Sequence, residues 1–564
     1  MKILDPACGS GSFLIGAYQY LLDYHLDYYT QEANKNSALK KGVIIKSQRD
    51  NLIFRLSIPQ KQKILKNNIF GVDIDAQAVE VSKFSLLIKL METETQDTMD
   101  ELFQTSQIET QKGMKILPDL KNNIKCGNSL IGKDFLSDNL MIDNEEVKRV
   151  NPFDWNDEFA EIMKDGGFDV VIGNPPWGQK AVGFSKSEKE YLLVYPASSI
   201  GISDLSRYFI EKSIDLLKAN AYWGQVLPDI ILLKNYDSTR KLLLDSLEIS
   251  NISDWGQAFY QVNIGCCTIV GCKVNSIDKK HRIYISIYDK NEKLMENILH
   301  QNIFQENIGY KFNLYLTSEK IKIIKKLDLN DKFQDYFDSH EGIHSGNIRD
   351  KLFVPQKENE HCRKLILGGD EVKRYCLKWN KLWVNYYSDI VNKNKKEYAG
   401  LGKAEYFETT KLVIRRTGDF ILANVDKDNY YFSNNVFVSI PKEKNIDVKF
   451  FLGLLNSTLL TWYYRVIQPR KGKLFAELKL NVLNIFPIPK LDFSVSDIKN
   501  RYNKIVEIVD MMLEIHKQLH SAKTESDKKI YQQKADIIDE QIDKLVYELY
   551  GLMEEEIKIV EGIK

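Results

Sequence analysis

Apolar and polar positions alternate in two different rhythms along the chain. In the first half, short apolar runs end in polar turns: Lys2-Ile3-Leu4, Ile69-Phe70-Gly71-Val72 and Phe168-Asp169-Val170-Val171-Ile172. Stretches with helical spacing lie between them, at Ala78 to Leu90 and again at Ser206 to Leu217. Further strand candidates follow at Gln225-Val226-Leu227 and Cys267-Thr268-Ile269-Val270. Strands alternating with helices predict a parallel sheet with crossover connections. The stretch 19–66, rich in Tyr, Asn and Lys, is too long for a simple connection and reads as a helical insertion.

From about Asn275 the rhythm changes. Aromatic and β-branched runs such as Leu382 to Tyr387 and Lys411 to Ile414 are separated by Gly, Asp and Asn turns. This predicts a mixed, strand-rich second domain to about residue 490. Phe486-Pro487-Ile488-Pro489 reads as a linker, because alternate prolines stop both helix and ladder. Beyond it the chain is helical. Ile505, Ile508, Met512, Ile515 and Leu519 share one stripe, and Ile537, Ile538, Ile542, Leu545 and Leu549 share another. The expected domains are therefore 1–275, 276–490 and 491–564.

Composition changes this picture little. Hydrophobic residues are 43% and charged residues 28% of 564, which suits a globular chain and excludes a disordered or collagen-like one. No run reaches the roughly 20 apolar residues of a membrane span. The N-terminus has no signal-peptide pattern, and the seven cysteines form no CxxC pair, so the reading is a cytoplasmic protein with reduced thiols. Lys plus Arg and Asp plus Glu balance at 78 each, which excludes a polycationic coat but leaves room for a local basic groove.

Three segments carry chemistry. Asp5-Pro6-Ala7-Cys8-Gly9-Ser10-Gly11-Ser12-Phe13 follows a strand and opens a helix. Gly9 and Gly11 let the backbone approach a ligand, and the helix N-terminus offers free amides. Leu14 stands where the dinucleotide fingerprint needs a third glycine, which disfavours NAD or FAD. Asp73, at the end of the second strand, can accept the two hydroxyls of a ribose, while Asp75 suits a helix N-cap. Asn128, at a third strand end, can hydrogen-bond an adenine edge or be a turn asparagine. The sharpest signal is Asn174-Pro175-Pro176-Trp177 after the strand Asp169 to Gly173. Two prolines stiffen the turn, so the Asn174 side-chain oxygen and the Pro175 carbonyl can accept both N–H bonds of an aromatic amine. That frees a lone pair otherwise delocalised into the ring. Trp177 offers a face on which a base can stack, worth on the order of 1–3 kcal/mol.

These motifs, in this order, resemble the S-adenosylmethionine-dependent adenine-N6 DNA methyltransferases of the gamma class, and most of all the modification part of type IIG restriction–modification enzymes. The resemblance implies a Rossmann-like α/β methyltransferase domain over 1–275, a mixed α+β target-recognition domain and a C-terminal helical segment. It implies S-adenosyl-L-methionine as cofactor, held by Asp5, Ala7, Gly9, Gly11, Asp73 and Asn128, although the family usually has Asp at that last position. It implies catalysis by Asn174, Pro175, Pro176 and Trp177 without a metal, and a second stacking aromatic, for which Phe259 is the candidate. Lys411 to Asp419, Phe432 to Asn435, Leu454 to Ser457 and Phe486 to Pro489 are similar to the recognition domain of the same enzymes. The implied partner is double-stranded DNA, with Arg415, Arg416, Arg470, Lys471 and Lys473 as candidate contacts. Family members also carry an N-terminal helical segment with a Tyr-Thr-Pro-like motif. None precedes the first strand here, so the expectation is either a truncated reading frame or a separate polypeptide that supplies that segment or a nuclease. Two competing readings are a protein glutamine N-methyltransferase and a catalytically silent DNA-binding specificity subunit.

Overall fold

Nine strands form one sheet, and the short first strand, β1 (Ile3–Asp5), lies in its interior. In the computed structural model the described residues are all of 1–564 except 47–53, 93–116, 139–142, 179–183, 203, 259–263, 279, 290–291, 444–445, 469–476 and 563–564. The chain divides into two units, Met1–Leu314 and Tyr315–Lys564.

In the first unit, β1 leads into α1 (Ser12–Thr30), α2 (Glu32–Lys40), the hairpin β2 (Ile44–Lys46) and β3 (Phe54–Leu56), and α3 (Ile58–Asn68). The 19–66 insertion thus holds a two-stranded hairpin as well as helices. Then come β4 (Ile69–Asp73), α4 (Ala76–Met91), β5 (Ile124–Cys126) and β6 (Phe168–Gly173). After α5 (Leu205–Asp215) follow β7 (Leu217–Pro228), α6 (Asp237–Ser246), β8 (Leu247–Gly256), β9 (Cys266–Lys273), β10 (Arg282–Asp289) and β11 (Glu292–His300). The spatial order is β11-β10-β8-β9-β7-β6-β1-β4-β5. β9 runs antiparallel between β7 and β8, and β11 runs antiparallel at the edge. The chain order reverses direction at β1, with β4 on one side and β6 on the other. Ligands of open α/β sheets bind outside the carboxyl ends of the strands at such a point.

The sequence explains the central strands. Ile69-Phe70-Gly71-Val72 is apolar on consecutive positions and all four residues are buried, as in a strand covered on both faces. Leu14, Tyr18, Leu21 and Leu22 make one stripe of α1 and pack on Ile3, Ile69 and Leu86. A Cβ at Gly71 would lie 2.7 Å from the Leu14 side chain, so glycine there sets how closely α1 meets β4. On the other face, edge-to-face rings of Phe70, Phe159 and Phe168 pack with Trp155.

The second unit differs from expectation at both ends. β10 and β11 continue the first unit's sheet, so the boundary falls at 314 rather than 275. Pro487 and Ile488 are no linker. They are buried and pair with Asp331 and Lys332, because an edge ladder of two residues tolerates proline. A four-stranded antiparallel sheet joins β12 (Phe337–Glu341), β13 (Lys411–Arg415), β14 (Ala423–Asp426) and β15 (Val436–Pro441) in the order β12-β15-β13-β14. The long helices α7 (Ser496–Ser521) and α8 (Glu525–Leu549) belong to the same unit. Ile505, Ile508 and Met512 are buried as their stripe predicts. Ile537 is exposed, and the buried stripe of α8 is Ala535, Ile542 and Val546.

Inside this unit Lys411 and Asp426 form a fully buried ion pair, and the ammonium also donates to the carbonyl of Phe407. Burial pushes the lysine down and the aspartate up, and each offsets the other. Lys411→Ala leaves Asp426 buried without its cation and is expected to cost about 3–5 kcal/mol. Denaturant unfolding followed by tryptophan fluorescence measures it, and a loss under about 1 kcal/mol would contradict a dry pair.

Candidate active site

Three neighbouring strands, β4, β1 and β6, end side by side and deliver the three motif segments to one edge of the sheet. Adjacent strands are about 4.8 Å apart, so the turns that follow them share one mouth.

The turn after β1 is held from two sides. The Gly9 amide donates to Asp73 Oδ2 at 2.8 Å, and the Cys8 amide donates to the Val72 carbonyl at 3.0 Å. The Ala7 amide donates to Asp5 Oδ1 at 3.0 Å, and Ser129 Oγ donates to the Pro6 carbonyl at 2.6 Å. Gly9 has φ 50° and Gly11 has φ 86°, both in the left-handed region. A Cβ at Gly11 would meet Ser82 Oγ at 2.5 Å, whereas a Cβ at Gly9 would meet nothing within 4 Å. Gly11 therefore serves packing, and Gly9 faces open space at the mouth. The buried Cys8 thiol is pushed up by burial and by Asp5 and Asp73, which makes it a packing group and no nucleophile.

Asp73 also accepts from the Asp75 amide at 2.9 Å through Oδ1, and Asp75 caps α4 by accepting from Gln77 at 2.8 Å. A carboxylate has about four acceptor sites, so Asp73 keeps capacity for a ligand. Beside it stands Ile74, which sequence reasoning did not single out and which is 51% exposed. The signal was legible: an apolar residue between two aspartates in a turn has no core to join.

Asn128 shows the turn arrangement, one of the two readings its sequence allows. It is buried, its amide donates to the Val150 carbonyl at 3.1 Å, and its oxygen accepts from Leu130 at 3.1 Å. One donor and one acceptor site of the amide are thereby placed on backbone groups. Its neighbour Ser129 is the residue that reaches the Gly-rich turn.

Asn174 and Pro176 are exposed, Pro175 is buried and Trp177 is half-buried. Gly173, just before them, would place a Cβ 2.6 Å from Asp5 Oδ1, so only glycine lets β6 pass this close to the β1 carboxyl. The chain beyond Trp177 is fastened from behind. Gly178 accepts from the Leu205 amide at 3.4 Å. The buried Arg207 donates to the carbonyls of Ala197 at 2.6 Å and Ile200 at 2.8 Å, and to Thr239 Oγ1 at 2.7 Å. Nothing in the sequence distinguished this arginine from an ordinary charged residue on a helix.

The DNA-contact candidates fare differently. Phe259, Arg470, Lys471 and Lys473 lie outside the described residues. Arg415 and Arg416 do not reach out. Arg415 Nε donates to the Thr417 carbonyl at 2.7 Å, and Arg416 pairs with Glu477 and, at 3.4 Å, with Glu341. Strand ends that bring acids and arginines together satisfy the charges locally.

Burial, with Asp73 nearby, pushes the Asp5 carboxyl up to about 7. An acid raised from 3.8 makes a contribution to stability that is full below about pH 4 and lost as pH rises to about 7. Asp5→Asn carries no such loss. The melting temperature of the variant minus that of the parent should thus grow between pH 4 and 7 and level off above; a flat difference would show Asp5 ionised throughout.

Residues 1–125 match the N-6 DNA Methylase family, residues 67–260 the Eco57I restriction-modification methylase family, and residues 364–488 the TaqI-like C-terminal specificity domain. The type II restriction enzyme and methyltransferase RM.Eco57I of Escherichia coli is 24% identical over 650 residues, covering 100% of this chain and 61% of that protein. The putative type II restriction enzyme and methyltransferase RM.MjaORFECS2P of Methanocaldococcus jannaschii is 24% identical over 687 residues, covering 98% of this chain and 52% of its own length. The chain thus spans between half and two thirds of these relatives. Among solved structures, the type IIL restriction-modification enzyme MmeI in complex with DNA has a similar fold, with a TM-score of 0.56 at 17% identity over 100% of this chain and 72% of that one. Strand order, motif-bearing turns and these matches agree, and the chain is similar to N-6 DNA methylases and to type II restriction–modification methyltransferases.

Proposed function

We propose that the chain transfers a methyl group from S-adenosyl-L-methionine to N6 of adenine in duplex DNA, within a restriction–modification system. The observation that carries this reading is the placement of Asn174-Pro175-Pro176-Trp177 at the strand end next to the Gly9 turn and the Asp73 carboxylate. The residues fit an adenosyl ligand. Open space over Gly9, the free acceptor capacity of Asp73 and the exposed Ile74 supply backbone approach, hydroxyl recognition and an apolar surface. When bound, the cofactor supplies an electrophilic methyl on a sulfonium.

The protein does the rest by positioning. Extruding an adenine from the duplex costs a few kcal/mol, and stacking on Trp177 offsets part of it. The Asn174 side-chain oxygen and the Pro175 carbonyl accept the two N–H bonds of the exocyclic amine. That draws the nitrogen toward tetrahedral geometry and aims its lone pair at the cofactor side of the mouth. The nitrogen gains the methyl and releases one proton to solvent, so no tuned general base is required. Gly173 sets the start of the motif against β1, and the Leu205 amide holds the Gly178 carbonyl just past its end.

The open face of the sheet bears on the partner. A groove of about 600 Å³ lies between α1 and the sheet, lined by Phe13, Ala17, Ile172, Tyr222, Val226 and Val270, and Tyr222 is 60% exposed. Strands of parallel sheets are normally covered on both faces. We read this groove as the seat of a separate polypeptide.

Two measurements test these statements. Asn174→Ala should abolish tritiated-methyl incorporation into N6-methyladenosine of bacterial genomic DNA while DNA affinity stays within about tenfold, because it deletes a contact made in the transition state. Full activity in that variant would remove the catalytic assignment. Hydroxyl-radical labelling of Tyr222 and Val226 should fall in a complex with a co-expressed neighbouring polypeptide. Unchanged labelling would refute the groove assignment.

A further inference from the structure

The second unit presents a feature that neither the motifs nor the site explains. The segment from Asn392 to Lys403 carries four lysines against one glutamate, and Lys393, Lys395, Lys396 and Lys403 are all exposed. Lys403 pairs with Glu405 at 3.3 Å, but Lys393, Lys395 and Lys396 make no ion pair among the described residues. Tyr398, between them, is 65% exposed and has no ring partner among the described residues.

This loop is built rigidly. Asn392 Oδ1 accepts from the amides of Asn394 at 3.1 Å and Lys395 at 3.3 Å. The Asn392 amide donates to Glu397 Oε2 at 2.8 Å, and Lys351 pairs with the same carboxylate at 2.9 Å. Lys396 sits at φ 56°, a left-handed conformation that costs a side-chain-bearing residue energy. A second loop clasps it. His344 and Gly400 exchange backbone hydrogen bonds of 2.8 and 2.9 Å, the Asn347 amide donates to the Tyr398 carbonyl at 3.2 Å, and Asn347 Oδ1 accepts from the Tyr398 amide at 2.9 Å. A Cβ at Gly346 would lie 1.8 Å from the Tyr398 carbonyl oxygen, so the two loops interlock only through glycine. His344 stands half-exposed on this ridge, anchored to Glu341 at 2.7 Å, and Glu341 also holds Arg416. The arginine predicted to touch DNA therefore braces the frame behind the ridge.

Unpaired ammonium groups suit phosphates, and an exposed tyrosine with an imidazole and the Asn394 amide suits base edges. Lysine is depleted from protein–protein interfaces, which weighs against a protein partner. We infer that the interlocked loops 342–347 and 392–403 form a duplex-DNA contact surface, with Lys393, Lys395 and Lys396 on the backbone and Tyr398 beside the bases. This rests on the DNA reading above and names the surface that serves it.

The test uses the full chain and a fluorescent random-sequence 40-base-pair duplex, titrated by anisotropy at several salt concentrations. Combined Lys393→Gln, Lys395→Gln and Lys396→Gln should weaken binding about tenfold or more at low salt and reduce the slope of log affinity against log salt by about 2–3, since each lost phosphate contact removes about 0.9. Tyr398→Ala should weaken binding several-fold without changing the slope. Combined Lys528→Gln, Lys529→Gln and Lys534→Gln, on the exposed face of α8, should change neither. Melting curves of all variants should match the parent, because these side chains are exposed. A loop variant with parental affinity and slope overturns the inference, as does an equal loss in the α8 variant or a loss confined to single-stranded RNA. If the parent chain methylates and binds the duplex while the loop variant matches it, the loop assignment alone fails. A parent chain that binds no duplex overturns the DNA reading itself and the loop with it.

Discussion

The approach of Gly173 to the Asp5 carboxyl is the constraint on which the site depends. With 2.6 Å between an imagined Cβ and that oxygen, β6 can lie beside β1 only if residue 173 has no side chain. That contact fixes the depth at which the stiff Asn-Pro-Pro turn leaves the sheet. The same carboxyl holds the start of the Gly-rich turn through the Ala7 amide. One buried acid therefore couples the segment suited to a cofactor with the segment suited to the accepting base.

Burying that acid is costly, and the surroundings show how the cost is met. The carboxyl is shifted toward its neutral form rather than paired with a buried cation. The turn above it is secured by neutral hydrogen bonds from Ser129 and by the Asp73 carboxylate, which lies partly in solvent. The rings of Phe70, Phe159 and Phe168 stiffen the sheet beneath. Trp155 donates to the Ser129 carbonyl at 3.1 Å, which links this apolar layer to the turn. Positioning by rigid elements matters for a reaction in which little proton transfer is asked of the protein.

The second unit follows a different physical scheme. Its sheet has charged residues inside, with Lys411 and Asp426 buried together, and its outer ridge leaves lysines unpaired. Charges that serve the frame are neutralised locally, as with Arg416 between Glu341 and Glu477. Lys393, Lys395 and Lys396 on the interlocked loops make no ion pair among the described residues. This division separates charges that brace the unit from charges free to meet an anion.

The sequence by itself determined the α/β class of the first unit, the three motif segments, the capping role of Asp75 and the helical character of the C-terminal region. These are local properties: apolar periodicity, glycines at turns and prolines after a strand act within a few residues. Tertiary structure alone decided which polar groups remain free. Asn128 and Ser129 are adjacent, yet one is consumed by Val150 and Leu130 while the other reaches Pro6 across 123 positions. Arg416 looked like a DNA contact and is a brace, because Glu341 and Glu477 meet it only after folding. The end of the first unit was equally hidden, since β10 joins the sheet by pairing with β8 and carries β11 at its edge, and strand pairing between distant segments leaves no mark in local composition.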